Sequence, residues 1–189
     1  IAPAFASTSK SSKPTVSDQV DFLIAAGLVI NVGTGKAGSR GGKRPALVEM
    51  NARYGCVLSV EVGLERIRFG TWDLFGRMIR KTERELGPAK DARALLRVVR
   101  RGLTELMGHD EISEARLRVV SVAMPGIVDV REGVVLETNK VFGWTGLRLG
   151  PELKKTFGRH VHVDNDVNMA ALAEMKSESL KAPRNFVLI

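Results

Sequence analysis

Residues 117–126 read Leu117-Arg-Val-Val-Ser-Val-Ala-Met124-Pro-Gly126, and this stretch decides the fold class. The mostly apolar run has the length of a strand, and its β-branched residues are typical of a strand covered on both faces. The Pro-Gly pair ends it. Residues 91–107 form an amphipathic pattern before this strand, because their apolar positions fall on one helical face. A helix that leads into a buried strand is typical of an α/β domain.

Other strand and helix patterns lie on both sides of this stretch. Upstream, three strands are predicted over 54–62, 65–73 and 78–85. Downstream, the pattern predicts a helix over 151–157, a strand over 160–163, a helix over 165–176 and a further strand just starting at 185–189. The resulting order βββαβαβα predicts an α/β domain with a mixed sheet over residues 52–189.

Residues 1–51 have a different pattern, a helix followed by a hairpin with a glycine-rich loop, and are predicted to form a separate domain. Ser12 can cap a helix in which Pro14 is tolerated in the first turn, and Gly27 ends it. A short strand over 28–30, a glycine-rich basic loop over 31–45 and a strand over 46–50 follow. This order predicts a hairpin with a long tip after the helix.

Composition and charge narrow the class of protein. The chain has 189 residues, a formal net charge of +8 and 44% hydrophobic residues, a globular composition. No apolar run approaches the ~20 residues of a membrane helix, so we expect no membrane partner. Cys56 is the single cysteine, which excludes an internal disulfide and favours a cytoplasmic location. The basic excess suits a polyanion but is not confined to the first domain, since residues 64–101 carry eleven Lys and Arg against five acids.

The first domain carries side chains suited to DNA. A helix in the major groove presents its N-terminal residues to base edges, and a basic hairpin tip can reach phosphates. On the helix, the candidate DNA-binding residues are Ser12, Lys13, Thr15, Ser17, Asp18 and Gln19; in the loop, they are Arg40, Lys43 and Arg44. The alternative is a capped structural helix followed by a solvated linker.

The same stretch resembles a known DNA-binding pattern. Ser12-Lys-Pro-Thr-Val-Ser17 and Gly41-Gly-Lys-Arg-Pro45 are similar to the winged helix-turn-helix of repressors in the ROK family (repressor, open reading frame, kinase). The resemblance covers about residues 3–51 and implies that 3–8 belong to the preceding helix. It also implies that the first helix of the motif is missing. Asp18 departs from the family, which often has Arg there, so the base preference at this position is expected to differ.

Three later stretches resemble the sugar-site signatures of the same family. They are Ala123-Met-Pro-Gly-Ile-Val-Asp129, Glu137-Thr-Asn139 with Gly143-Trp144, and Val163-Asp-Asn-Asp-Val-Asn168. The resemblance implies that Asn139, Asn165 and Asp166 contact sugar hydroxyls, and that Asp166 matches the general base of the kinases. The alternative for 164–166 is a cap at a helix N-terminus. For Trp144 we expect core packing.

The phosphate hairpin of the kinases is poorly matched. ATP-using members read D-x-G-x-T, whereas this chain reads Glu61-Val-Gly63-Leu-Glu65-Arg66. A carboxylate in the place of Thr repels a triphosphate, so we expect a structural turn, no catalytic residues and no cofactor in this chain. The zinc motif of the family would lie beyond Ile189. His109, His160 and His162 have no cysteine partners, so no metal is expected.

These observations predict an N-terminal winged helix-turn-helix followed by the first half of an actin-like, RNase H-like sugar-kinase domain, incomplete at both ends. The predicted function is a sugar-responsive transcriptional regulator. Its expected partners are double-stranded operator DNA, a sugar or sugar phosphate, and further copies of itself in a homodimer or higher oligomer. An ATP-dependent hexose or hexosamine kinase and a non-functional fragment are the alternatives.

Overall fold

The computed structural model describes residues 13–36, 44–87, 91–108, 116–138 and 143–176. It divides the chain into two compact units, Ile1–Tyr54 and Gly55–Ile189. The boundary predicted at residues 51/52 falls just before the 3₁₀ turn Ala52–Tyr54, which closes the first unit. Within the described residues, no helix is long and apolar enough to cross a membrane.

The first unit contains one described helix and one hairpin. Helix α1 spans Lys13–Ala25, and strands β1 (Val29–Thr34) and β2 (Ala46–Met50) pair antiparallel. The helix ends at Gly27, whose φ of 74° is favourable only for glycine. Two bonds complete this end, from Gly27 N to Ile24 O and from Leu28 N to Leu23 O, which is the Schellman pattern.

The first strand of this hairpin is longer than predicted. The sequence predicted a strand over 28–30 followed by loop, whereas β1 continues to Thr34, which pairs with Ala46. A register shift between Asn31 and Gly33 absorbs one extra residue. Cross-strand hydrogen bonds thus extend strand structure into a glycine-rich segment that propensity alone assigns to the loop.

The second unit is built on a five-stranded mixed sheet. Its strands are β3 (Cys56–Val62), β4 (Arg66–Asp73), β5 (Met78–Glu85), β6 (Leu117–Met124) and β9 (His160–Asn165), in the spatial order β5-β4-β3-β6-β9. The neighbours β5, β4 and β3 pair antiparallel, whereas β6 pairs parallel with both β3 and β9. The prediction of an α/β fold with a mixed sheet is confirmed.

Three helices flank this sheet. Helix α2 (Ala92–Met107) and helix α3 (Leu149–Phe157) pack on one face, and helix α4 (Asp166–Lys176) follows β9 directly. Asp91 caps α2 by accepting a hydrogen bond from Ala94 N at 2.7 Å. A Cβ at Gly102 would lie 2.4 Å from the ring of Phe69, so glycine permits α2 to approach the sheet closely.

One apolar core lies between the sheet and helices α2 and α3. The buried side chains alternate along β3 and β6 and recur on one side of α2; Leu58, Val60, Val120, Val122, Leu95, Val99 and Leu103 are all 0–2% exposed. Trp144 is fully buried in the same cluster, which confirms that it is a core residue. Burial of this kind is the main stabilising term of the fold.

A small hairpin that the sequence did not indicate lies between β6 and α3. Strands β7 (Ile127–Asp129) and β8 (Val134–Glu137) pair antiparallel beyond the Pro125-Gly126 turn. Three other boundaries differ from prediction by two residues: β3 begins at Cys56 rather than at residue 54, α3 begins at Leu149 rather than at residue 151, and β9 continues to Asn165 rather than ending at residue 163. The last strand predicted, at 185–189, lies outside the described residues.

Candidate functional site

Helix α1 presents part of the predicted DNA-binding set on its outer surface. Three of these residues are exposed: Ser17, Asp18 and Gln19. Val16, beside them, is buried with 4% exposure. Lys13 and Thr15 belong to the first turn of the helix, and Ser12 lies outside the described residues. The polar side chains of Ser17, Asp18 and Gln19 are thus exposed in the N-terminal half of α1, the half of a recognition helix that contacts base edges.

The β1–β2 hairpin carries the loop predicted to meet phosphate. Gly35 N donates to Pro45 O at 2.8 Å and closes the base of this loop. Arg44 is exposed at that base, whereas Arg40 and Lys43 lie outside the described residues. The structure thus positions the two ends of the loop and one of the three cations predicted to bind DNA.

Asn51 connects the end of the hairpin to the end of the helix. Its backbone N–H donates to Leu28 O at 2.8 Å, and its side-chain Nδ2 donates to Gly27 O at 2.9 Å. Its Oδ1 also accepts from Arg53 N. In the structure it satisfies a carbonyl beyond the helix and ties β2 to α1.

In the second unit, the carboxyl ends of three strands meet at one edge of the sheet. Ala123 of β6 is the register partner of both Glu61 of β3 and Asp164 of β9. The hairpin that matches the kinase phosphate loop therefore lies beside the stretch that matches the sugar site. In open α/β sheets this edge is the usual place for ligands.

The three sugar-site signatures come together at Gly126. Asn165 Nδ2 donates to Gly126 O at 2.7 Å, which joins the first signature to the third. A Cβ at Gly126 would lie 2.3 Å from Glu137 O and 3.0 Å from Thr138 Cβ, so this glycine also packs tightly on the second signature. Its φ of 118° excludes other residues without strain. Asn139 itself lies outside the described residues.

Asn165 and Asp166 differ in how far their side chains are already engaged. Asn165 Oδ1 accepts from the backbone N–H groups of Val167 and Asn168 at 2.9 and 3.1 Å, so it caps α4, the structural alternative considered for this stretch. Asp166 accepts only from Val167 N, at 3.0 Å, among the hydrogen bonds of the described residues. Its carboxylate therefore keeps capacity for a ligand.

Asp164 stabilises the start of α4 through hydrogen bonds to its side chain. It is 8% exposed and accepts hydrogen bonds from Asn165 N and from Asn168 Nδ2, at 2.6 and 3.1 Å. Both partners belong to the signature. The sequence offered no reason to separate Asp164 from Asp166. The distinction is burial: one carboxylate is used internally, and the other borders open space.

That open space is a cavity of about 960 Å³ between α4 and the face of the sheet opposite the core. Asp166 lies at its border together with Glu61 and Ala123. Small side chains of the sheet and α4 line part of the rest; they are Ser59, Gly70, Ser121, Ala170 and Ala173. Larger and charged side chains line the remainder, among them Arg68, Met78, Lys81, Glu83 and Met169. Trp72 also lines it and donates from Nε1 to Ser59 Oγ at 2.7 Å.

The turn between β3 and β4 is internally bonded. Gly63 N donates to Arg66 O at 3.0 Å, and a Cβ there would lie 2.7 Å from the same oxygen. Leu64 and Glu65 are exposed at the tip, and Glu61 pairs with Arg68 across the strands at 2.6 Å. The glycine is thus explained by the turn itself.

The charges at this edge are unfavourable for a phosphate. Glu61, Glu65, Asp164 and Asp166 are all acidic, and Arg68 is already paired with Glu61. His162 Nε2 lies 3.9 Å from Asp164 Oδ2, and His160 is exposed on the same edge strand. Among the described residues, no group of three or more His, Cys, Asp or Glu could hold a metal ion. Carboxylates of this kind suit a neutral polyol better than a triphosphate.

Comparison with known proteins decides the family. The model of the ROK family matches residues 57–189, which is nearly the whole second unit and more than half of the chain. The chain belongs to the ROK family.

Curated ROK relatives include both repressors and kinases. The xylose repressor of Caldicellulosiruptor bescii is 27% identical over 163 residues, covering 86% of this chain and 40% of the repressor. The N-acetyl-D-glucosamine kinase of Photobacterium profundum is 32% identical over 127 residues, covering 66% of this chain and 39% of the kinase. The chain thus spans about two-fifths of the length of these relatives.

A solved ROK structure shares the fold over most of the chain. It is a transcriptional regulator described as a homologue of the Escherichia coli MLC protein, with a TM-score of 0.70 and 23% identity. The match covers 92% of this chain and 43% of that regulator.

Proposed function

We propose that this ROK protein is a sugar-responsive transcriptional repressor. Its first unit acts as a winged helix-turn-helix that binds operator DNA through α1 and the β1–β2 hairpin. Its second unit senses a sugar and does not phosphorylate it. It works as a homodimer or higher oligomer, so that sugar binding changes the spacing of two DNA-reading helices.

The extent of the match to repressors carries this proposal. The repressor of Caldicellulosiruptor bescii aligns over 163 residues, more than the 135 residues from Gly55 to Ile189, so the similarity includes part of the first unit. The kinase of Photobacterium profundum aligns over 127 residues, fewer than the second unit contains. A sugar kinase has no need of the first unit, and the first unit is shared, at least in part, with the repressor.

The edge of the sheet supports sensing without phosphoryl transfer. Glu65 is exposed at the β3–β4 turn, and Glu61 and Asp166 border the same cavity. Glu65 stands where the kinases have Thr, and a carboxylate within contact range of a triphosphate repels it by at least ~1 kcal/mol even in a water-like dielectric. Hydroxyl groups of a sugar, by contrast, donate to carboxylates and amides such as Asp166 and Asn139.

Xylose is the first sugar to test, because several relatives are named xylose repressors. The protein as expressed from its gene is titrated against the DNA upstream of its own gene, with and without xylose, glucose and N-acetylglucosamine. We expect specific binding that one of these sugars weakens. A protein that binds this DNA no better than a scrambled duplex contradicts the proposal.

The second candidate function is a sugar kinase. It is favoured by Asp166, which matches the general base of the kinases, and by the identity to the N-acetyl-D-glucosamine kinase. Asp166 by itself does not separate the two functions, because a sensor needs it for a hydrogen bond and a kinase needs it for proton removal. An ATP-dependent phosphorylation assay separates them, since only a kinase turns over the sugar.

A further inference from the structure

The basic excess over residues 64–101 remains unexplained by the proposed DNA-binding unit, because it lies in the second unit. Four of its arginines are paired with acids: Arg66 with Glu83, Arg68 with Glu61, Arg84 with Glu105, and Arg100 with Glu152. These pairs are neutral overall. The other described cations of this segment form two groups: Arg77, Arg80 and Lys81 at and just before β5, and three arginines on helix α2.

The outer surface of α2 carries an arginine stripe consisting of Arg93, Arg97 and Arg101. The three residues are exposed and follow the i, i+4, i+8 spacing of one helical face. That face is opposite the core, because Leu95, Val99 and Leu103 fill the other side. The stripe is about 12 Å long at 1.5 Å of rise per residue.

Within the part of the chain that the structure describes, none of the three arginines has an ion pair or a side-chain hydrogen bond. Two other charged residues of α2 pair with neighbouring elements and not with the stripe: Arg100 pairs with Glu152 of α3, and Glu105 pairs with Arg84 of β5. Like charges spaced i, i+4 weaken a helix, so the stripe is unfavourable for folding by itself. An anionic partner would offset that repulsion.

We infer that the arginine stripe is a second DNA contact, which binds the phosphate backbone. The inference rests on the proposed function. Two features favour DNA over an acidic protein. Every exposed described residue between Arg93 and Glu105 is charged or polar, whereas a protein interface has an apolar core. Arginine without apolar neighbours is instead typical of phosphate contacts, which need no shape-matched pocket.

The test replaces Arg93, Arg97 and Arg101 by Gln in the protein as expressed from its gene. Gln is a polar residue with a helix propensity close to that of Arg, and the triple change removes two like-charge i, i+4 repulsions, so the melting temperature is expected to stay the same or rise. Binding to a random-sequence DNA duplex is measured by fluorescence anisotropy over a range of KCl concentrations.

We expect the slope of log affinity against log salt to flatten by up to about 2.7, because each neutralised phosphate contributes about 0.9. At about 0.1 M salt the affinity is expected to fall roughly 10- to 100-fold. The matched control replaces Arg77, Arg131 and Lys154 by Gln, which removes the same charge from exposed positions of the same unit. The control is expected to change the slope by less than about one.

The outcomes separate this inference from the function on which it rests. If the wild type binds operator DNA and the stripe variant keeps its salt slope, or if both triple variants lose equally, the second contact is wrong and the repressor proposal stands. A wild type that binds no DNA overturns both. Binding to polyglutamate that depends on the stripe, with DNA binding unchanged, assigns the stripe to an acidic protein and overturns the inference.

Discussion

Gln19 tests DNA recognition at the scale of a single side chain. It is exposed on α1 near the start of the helix, where a side chain can meet a base edge. We expect Gln19→Ala to cost about 1–3 kcal/mol on the operator and little on random DNA. Competition titrations with the two duplexes measure this difference. Asp21→Ala, an exposed change later on the same helix, is the control, and an equal loss on both duplexes would exclude base readout by Gln19.

Asp166 tests sugar sensing at the same scale. Its carboxylate borders the cavity and has one hydrogen bond among the described residues, to Val167 N. We expect Asp166→Ala to retain DNA affinity without sugar and to lose the change that sugar causes, because a ligand shifts an equilibrium only through contacts that differ between states. Operator titrations with and without sugar measure the response.

The control for Asp166 is Glu174→Gln, which alters an exposed acid further along α4. A normal sugar response in the Asp166 variant would show that this carboxylate does not contact the sugar.

Asn165→Ala is expected to change stability, since it removes both the helix cap and the bond to Gly126 O. Its loss should lower the free energy of unfolding by about 1 kcal/mol or more.

At the scale of elements, Gly126 tests how the signatures are held together. We expect Gly126→Ala to lower the free energy of unfolding by about 3 kcal/mol: ~1 from the positive φ and ~2 from overpacking against Glu137 O. Gly146 is the matched control, since its φ of 76° is also positive but nothing lies within 4 Å of an added Cβ. Chemical denaturation of both variants measures the difference. Equal losses would mean that the close approach at Gly126 is relaxed in solution.

The hairpin loop of the first unit gives a second prediction at this scale. Replacing Arg40, Lys43 and Arg44 by Ala should weaken binding to operator and to random DNA alike. The salt dependence should flatten by up to about three units in log–log slope if each side chain neutralises one phosphate. Affinities measured at several salt concentrations give the slope. An unchanged slope would identify the loop as a linker.

The elements that sequence predicted well are those with long apolar patterns. Helix α2 and strand β6 were expected almost at their observed bounds, because burial imposes a clear period on their side chains. The β7–β8 hairpin was missed because strands of three and four residues are too short to show a period. A signal was present nonetheless: Asp129 Oδ1 accepts from the backbone N–H groups of Arg131 and Glu132, and Gly133 has positive φ.

The sequence predicted which stretches of the chain contribute to the candidate site, but not the role of each residue within them. The resemblance pointed to Asn165 and Asp166 together, and sequence could not tell the cap from the free carboxylate. Asn165 also donates from Nδ2 to the carbonyl of Gly126, 39 residues away in the chain, a contact that the sequence alone does not reveal. The spatial order of the strands was likewise beyond the sequence, because pairing of β6 beside β3 is decided by packing between distant residues.

At the scale of the whole molecule, the prediction concerns catalysis. We expect no ATP-dependent phosphorylation of xylose, glucose or N-acetylglucosamine at an ordinary enzyme rate of about 1 per second or more. The reason is Glu65, an exposed carboxylate at the β3–β4 turn where the kinases have the Thr of their phosphate hairpin. A coupled assay measures turnover, with the N-acetyl-D-glucosamine kinase of Photobacterium profundum as the positive control. Turnover at that rate would show that the protein is a sugar kinase and would contradict the proposal that it only senses the sugar.

The positions of the aromatic residues have a practical consequence for spectroscopy. The chain has two tryptophans and one tyrosine; Trp72 and Trp144 both belong to the second unit, and Tyr54 closes the first. Excitation selective for tryptophan therefore reports on the second unit alone. Fully buried Trp144 should emit at short wavelength until the core opens, so the unfolding of the second unit can be followed without a label while the first unit contributes no tryptophan emission.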